Sequence, residues 1–184
     1  MPAERAKDKA VKFLKSLFGI GSDPRAALIP LYNSVVKEAR QPVWYAEMGV
    51  PDTLDGRFDM VAAVLALVLM RMEAADDEGR QPAALLTELF VDDMDGQLRQ
   101  IGIGDVIVGK HIGNMMAAMG GRLGVYRDAI GDGAELERAL LRNLWRGEAG
   151  AEARPALVAE RMQAIAGRLA GASLDSLLAN GMPG

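Results

Sequence analysis

The sequence predicts an all-α protein: a single-domain helical bundle built around one buried central helix, with short connections. Three observations carry that prediction. Apolar residues recur at spacings of three and four along most of the chain, no segment sustains an alternation of period two, and no hairpin dipeptide stands between strand-like runs. With 184 residues, 50% of them hydrophobic, the chain can bury one substantial core but is too short for two comfortable domains.

Residues 1–22 form a segment of their own. Arg5, Lys7, Lys9, Lys12 and Lys15 alternate with Ala10, Phe13, Leu14, Leu17 and Phe18 at helical spacing, which describes a basic amphipathic helix. Such a helix either rests on an anionic membrane surface or folds back onto the domain. Glu4 and Asp8 interrupt the positive charge and no apolar run of signal-peptide length follows, so no secretory or transit signal is expected. The turn-rich break from Gly19 to Pro24 then leads into a helical domain over residues 23–184.

Within that domain, Asp23 is placed to cap and Pro24 to start a helix running to Arg40, where Gln41-Pro42 interrupts it. Met48 to Asp52 is a loop, and Asp52 or Thr53 caps the next helix. From Met60 to Met70 every residue is apolar. Spanning a bilayer takes about 20 such residues, so this shorter run is the buried central helix, covering residues 58–72 and bracketed by Asp59 and Arg71. After an acidic loop at Asp76 to Glu78, a helix is expected from Pro82 to Gln100, ending at Gly102 and Gly104. Asp105 then caps a helix whose stripe of Val108, Ile112, Met115, Met119, Leu123, Tyr126 and Ile130 keeps one face apolar. Two more follow, Gly133 to Trp145 on Leu136, Leu140 and Leu144, and Pro155 to Ala170 on Val158, Met162, Ile165 and Leu169.

Charge and composition exclude several kinds of chemistry. Lys and Arg total 21 against 25 Asp and Glu, a net charge of −4, which is the wrong sign for wrapping phosphate backbones, so no nucleic-acid partner is expected. The absence of cysteine removes disulfides, thiolate nucleophiles and Cys-ligated metal centres. The single histidine, His111, cannot supply a two-His metal motif. No catalytic residue, metal ligand or cofactor is assigned.

The remaining motifs each have two readings. Asp92, Asp93 and Asp95 beside Gly96 fail as a calcium loop, because Val91 and Gly102 would stand where acidic ligands are needed. An isoprenoid-type synthase would hold magnesium on a D-D-x-x-D cluster, whose last position here is Gly96, so that alternative requires a degraded site. An acidic helix face presented to water or to a partner is the favoured reading. Gly104 to Lys110 matches G-x-x-x-x-G-K, but His111 replaces the required Ser or Thr and no strand precedes it, so the match is a coincidence. Gly109, Gly113, Ala117 and Gly121 recur every fourth residue and make a smooth track. A tight crossing inside the bundle is expected there; a groove for a client helix and a self-interface of an oligomerisation module are the alternatives. Met115, Met116 and Met119 suit either a core or an adaptable surface. Trp44 and Tyr45 sit in a connection and either pin it to the core or form a contact hot spot.

Two stretches carry a family resemblance. Tyr32-Asn33 together with the run from Trp44 through Gly49-Val50-Pro51-Asp52-Thr53 to Asp59 closely resembles the opening block of the ubiquinol-cytochrome c chaperone family. Leu89 to Asp95, followed by Leu98-Arg99, Gly102, Gly104-Asp105 and Val108-Gly109-Lys110, resembles its second block, with a fainter echo at Leu141 to Trp145. The resemblance implies an all-helical, non-enzymatic assembly factor for the respiratory cytochrome bc1 complex. Its expected partners are newly made cytochrome b or another membrane-protein client, a second assembly factor, and peripheral contact with anionic membrane. Its expected place is the cytoplasm beside the inner membrane, or the mitochondrion in a eukaryote. The candidate partner-contacting residues are Trp44, Tyr45, Asp92, Asp93, Asp95, Gly109, Lys110 and Gly113.

Overall fold

Thr53 starts the helix on which the rest of the molecule is built: its hydroxyl accepts a hydrogen bond from the Gly56 amide at 3.1 Å, satisfying a donor of the first turn. A computed structural model describes residues 23–184 apart from 101 and 103, with the backbone alone at 105, 106 and 111. The basic amphipathic segment expected over residues 1–22 lies outside the described residues.

A 3-10 turn over Pro24–Leu28, capped by the Asp23 carboxylate, leads into α1 (Ile29–Ala39) and then a short α2 (Pro42–Ala46). The central helix α3 spans Leu54–Glu73, and α4 (Asp76–Gln100) and α5 (Asp105–Ala129) follow it. The chain closes with α6 (Gly133–Leu144), α7 (Pro155–Gly171) and α8 (Leu174–Asn180). No strand occurs among the described residues. None of their helices is long and apolar enough to cross a membrane.

The unbroken apolar run explains the topology. Every residue from Met60 to Leu69 is buried, so α3 must be covered on all sides, and α1, α4, α5, α6 and α7 all pack against it. Burying each large side chain of that run contributes about 1.5–3 kcal/mol, which makes α3 the main source of tertiary stability. The covering helices turn inward the stripes their periodicity predicts: Val108, Met119 and Tyr126 on α5, Leu136, Leu140 and Leu144 on α6, and Val158, Met162, Ile165 and Leu169 on α7. Both polar residues that bracket the run are used. Asp59 turns inward to an arginine described below, and Arg71 donates to the Leu169 and Ala172 carbonyls at the end of α7.

Three boundaries differ from the sequence expectation. The acidic stretch at Asp76 to Glu78 is the first turn of α4, where its charges favour the positive helix end, and Pro82 lies inside the helix rather than starting it. Asp76 takes φ +50°, and the chain reverses between α3 and α4 within two residues. Gly79 then fits against α3 so closely that a Cβ there would lie 1.8 Å from the Met72 carbonyl oxygen. The interruption at Gln41-Pro42 restarts as a helix, since proline suits a first turn. Gly104 occupies the N-cap of α5 without a side-chain cap, so Asp105 is the first helical residue and not the cap.

Candidate functional site

Helix α5 presents two faces of different character. The stripe at Val108, Ile112, Met115, Met119 and Tyr126 turns toward α3, and the glycine track, displaced by one residue or about 100°, turns away from it. Gly109, Gly113, Ala117 and Gly121 are exposed. A Cβ added at Gly109, Gly113, Gly120, Gly121 or Gly124 meets nothing within 4 Å beyond the helix itself. Among the described residues the tight crossing expected along this track is therefore absent, and the glycines that meet backbone closely are Gly49, Gly56 and Gly79 instead. By helical spacing Ile107, Lys110, Asn114 and Val125 share the outward face, and Ile107 and Val125 are 55% and 38% exposed. The result is a smooth, weakly polar face with Lys110 on it. Each of its interior glycines costs about 1 kcal/mol against alanine, and no packing within the described residues offsets that.

The acidic block on α4 is divided among three partners. Asp92 accepts from Arg25 Nη1 at 2.5 Å, Asp93 accepts from the Tyr32 hydroxyl at 2.7 Å, and Asp95 accepts from Arg99 Nε at 2.5 Å. Burial, reinforced by the hydrogen bond to Asp93, raises the Tyr32 pKa and keeps it a neutral donor. Asp93 therefore ties α4 to α1, and Asp92 ties it to the 3-10 turn. Among the described residues no three acidic or histidine side chains converge in a way that could hold a metal ion.

Trp44 and Tyr45 occupy neighbouring sites of unlike exposure. Trp44 is fully buried: its Nε1 donates to the Glu38 carbonyl at 2.8 Å, and the Arg161 guanidinium lies 4.7 Å from its ring centroid. Arg161 also pairs with Glu38 at 2.8 Å, so a single arginine locks α7 onto the junction of α1 and α2. Tyr45 is half-buried, and its hydroxyl donates to the Ala39 carbonyl at 2.8 Å. The following loop is held by Gly49, whose carbonyl accepts from Trp145 Nε1 at 2.8 Å. Gly49 has φ +68°, and a Cβ there would lie 2.2 Å from the Glu152 carbonyl, so only glycine fits without displacement.

Sequence reasoning missed the polar cluster beneath α5. Asp59, 1% exposed, pairs with Arg122 Nη2 at 2.7 Å, while Arg146 Nη2 reaches Asp55 at 3.0 Å and stands 3.7 Å from Asp59. Arg122 also lies over the Phe58 ring at 5.9 Å. Burial pushes the Asp59 carboxyl above its ordinary range despite the pull of Arg122. Burial likewise pushes the Tyr126 hydroxyl up to about 12. Among the described residues Asp59 Oδ2, Arg122 Nη1 and the Tyr126 hydroxyl have no hydrogen-bond partner. One signal was present: a carboxylate adjoining an unbroken apolar run must be paired once that run is buried.

Comparison with known proteins accords with this architecture. The family model described as Ubiquinol-cytochrome C chaperone matches residues 46–182. Among solved structures, the crystal structure of the Cbp3 homolog from Brucella abortus is similar with a TM-score of 0.78 and 27% identity, over 94% of this chain and 97% of that one. No curated protein sequence gives a significant match. A helical bundle of this arrangement, matched by the family model from the end of α2 to beyond α8, belongs to the ubiquinol-cytochrome C chaperone family.

Proposed function

We propose that this chain is a non-enzymatic assembly chaperone of the cytochrome bc1 complex that holds newly made cytochrome b, or a similar membrane-protein client, against the outward face of α5. The observation that carries the reading is the open glycine track: a run of helix-weakening residues kept at the surface, where the monomer gains nothing from them. Small side chains let a second helix approach closely, and Ile107 and Val125 supply exposed apolar area at either end of the track. Lys110 offers one cation for a client carbonyl or carboxylate. Asp92, with 62% of its side chain exposed, offers a second, acidic contact on α4. Tyr45 offers part of its ring, whereas Trp44 serves indirectly by holding the block in place. The chain works beside the membrane that contains its client, with a second assembly factor and its basic N-terminal segment as further contacts.

A photo-crosslinking amino acid at position 113, in cells making cytochrome b, tests this. The expected product is a crosslink to cytochrome b that weakens when Gly109 and Gly121 are replaced by leucine. Crosslinking to no bc1 component, with the chain folded and present at normal level, overturns the reading.

A further inference from the structure

The opening block of the family resemblance contains charges that the client-holding face does not use. Arg40 ends α1, Tyr45 and Ala46 belong to α2, and Asp52 and Arg57 flank the start of α3; with Pro42 they line one open cavity of about 410 Å³. Among the described residues Arg57 engages only its Nε, with Asp52 at 2.5 Å, which leaves both terminal nitrogens of this cavity-lining side chain without a partner there. Arg40 makes no side-chain hydrogen bond or ion pair among the described residues. Arg40, Asp52 and Arg57 all act electrostatically on the Tyr45 hydroxyl, which sets the three charges around a common space. That hydroxyl is already committed to the Ala39 carbonyl, so Tyr45 contributes its ring, beside Pro42 and Ala46, as an apolar floor.

We infer that this cavity binds a single carboxylate carried by an acidic peptide segment. Two guanidiniums against one carboxylate leave one uncompensated positive charge, which matches a singly charged group and underpays a phosphate dianion. The free terminal nitrogens of Arg57 form the planar fork that takes two carboxylate oxygens together, with Arg40 as a second donor. The proline, tyrosine and alanine floor suits the methylene groups of a glutamate and an adjoining apolar residue. The choice of a peptide as carrier rests on the chaperone reading above, whereas the carboxylate chemistry rests on the cavity alone.

The test is a titration of the full chain with N-acetyl-Leu-Glu-Leu-amide and with its glutamine counterpart, followed through the arginine Nε–H resonances. Saturable binding of the glutamate peptide is expected, weakened about tenfold or more in the glutamine peptide and about fivefold or more in Arg40→Gln and Arg57→Gln. Arg57→Lys keeps the charge without the fork, so it is expected to bind more weakly than wild type while folding normally. Arg138→Gln, at an exposed pair on α6, is the control that leaves binding unchanged. Equal binding of both peptides, no binding of either, or indifference to both arginine substitutions overturns the inference. Stronger competition by inorganic phosphate, or Arg40- and Arg57-dependent retention on phosphatidylglycerol vesicles without a peptide response, overturns the carboxylate assignment in favour of phosphate. The titration contains no cytochrome b, so its failure and the failure of crosslinking at position 113 are separate results.

Discussion

Asp59 on α3 and Arg122 on α5 meet inside the bundle at 2.7 Å, with 1% and 13% of their side chains exposed. The pair lies beneath the helix whose outer face is proposed to receive the client, so it fixes where that face stands. Its desolvation is incompletely offset, since among the described residues one oxygen of Asp59, 3.7 Å from Arg146, and one nitrogen of Arg122 make no hydrogen bond.

Removing either partner leaves an uncompensated buried charge. Arg122→Met alone and Asp59→Leu alone are each expected to destabilise the fold by about 3–5 kcal/mol, and the double replacement is expected to recover most of that loss. Urea denaturation of the three variants measures this. A double variant as unstable as the sum of the singles would show that the two residues act independently.

The same carboxyl makes stability depend on pH. Burial raises the Asp59 pKa above the ordinary carboxylate value, so the stability tied to its neutral form is complete below that ordinary value and is lost as pH rises through the folded one. Wild type should therefore gain stability relative to Asp59→Asn as the pH falls from about 7 to about 4. The exposed carboxylates Asp23 and Asp52, whose partners Arg25 and Arg57 hold their pKa values low, shift stability the other way but equally in both proteins. A gap that is flat or closes on acidification would contradict the assignment.

Two buried tyrosines should respond oppositely to loss of the hydroxyl. Tyr32 donates to Asp93, so Tyr32→Phe is expected to cost about 1 kcal/mol. The Tyr126 hydroxyl has Asn143 nearby but makes no hydrogen bond of good geometry among the described residues, so Tyr126→Phe is expected to be neutral or to stabilise by up to about 1 kcal/mol. Melting temperatures of the two variants, measured side by side, decide between these signs.

Alanine scanning of glycines separates those the fold requires from those it merely tolerates. Gly113→Ala should stabilise by up to about 1 kcal/mol, because the added methyl meets open space and the helix gains propensity. Gly49→Ala should destabilise by more than about 1 kcal/mol, because φ is +68° and the methyl would strike the Glu152 carbonyl. Thermal unfolding measures both. Destabilisation by Gly113→Ala would mean that the track is packed against something in the free protein.

The helices were legible because their signals are local. An apolar run from Met60 to Met70, a cap at Thr53 and stripes such as Val158, Met162, Ile165 and Leu169 each state their own burial within a few turns. Where local signals competed, the reading slipped. Pro82 suggested a helix start, yet the Asp76 to Glu78 turn ahead of it is also helical, because the charges that mark a loop also favour a helix N-terminus. The acidic block was visible as a composition, but its division among Arg25, Tyr32 and Arg99 was not, since two of those partners lie far away in sequence.

By itself, then, the sequence determined an all-helical chain, its central helix and its family, all of which follow from short-range spacing and recognisable blocks. Only the tertiary structure decided that the glycine track on α5 faces outward, that Gly79 meets α3 closely, and that Asp59 finds Arg122. The physical reason is common to all three: a small or charged residue states what a neighbour must be, and only the packing of distant helices says whether that neighbour is there.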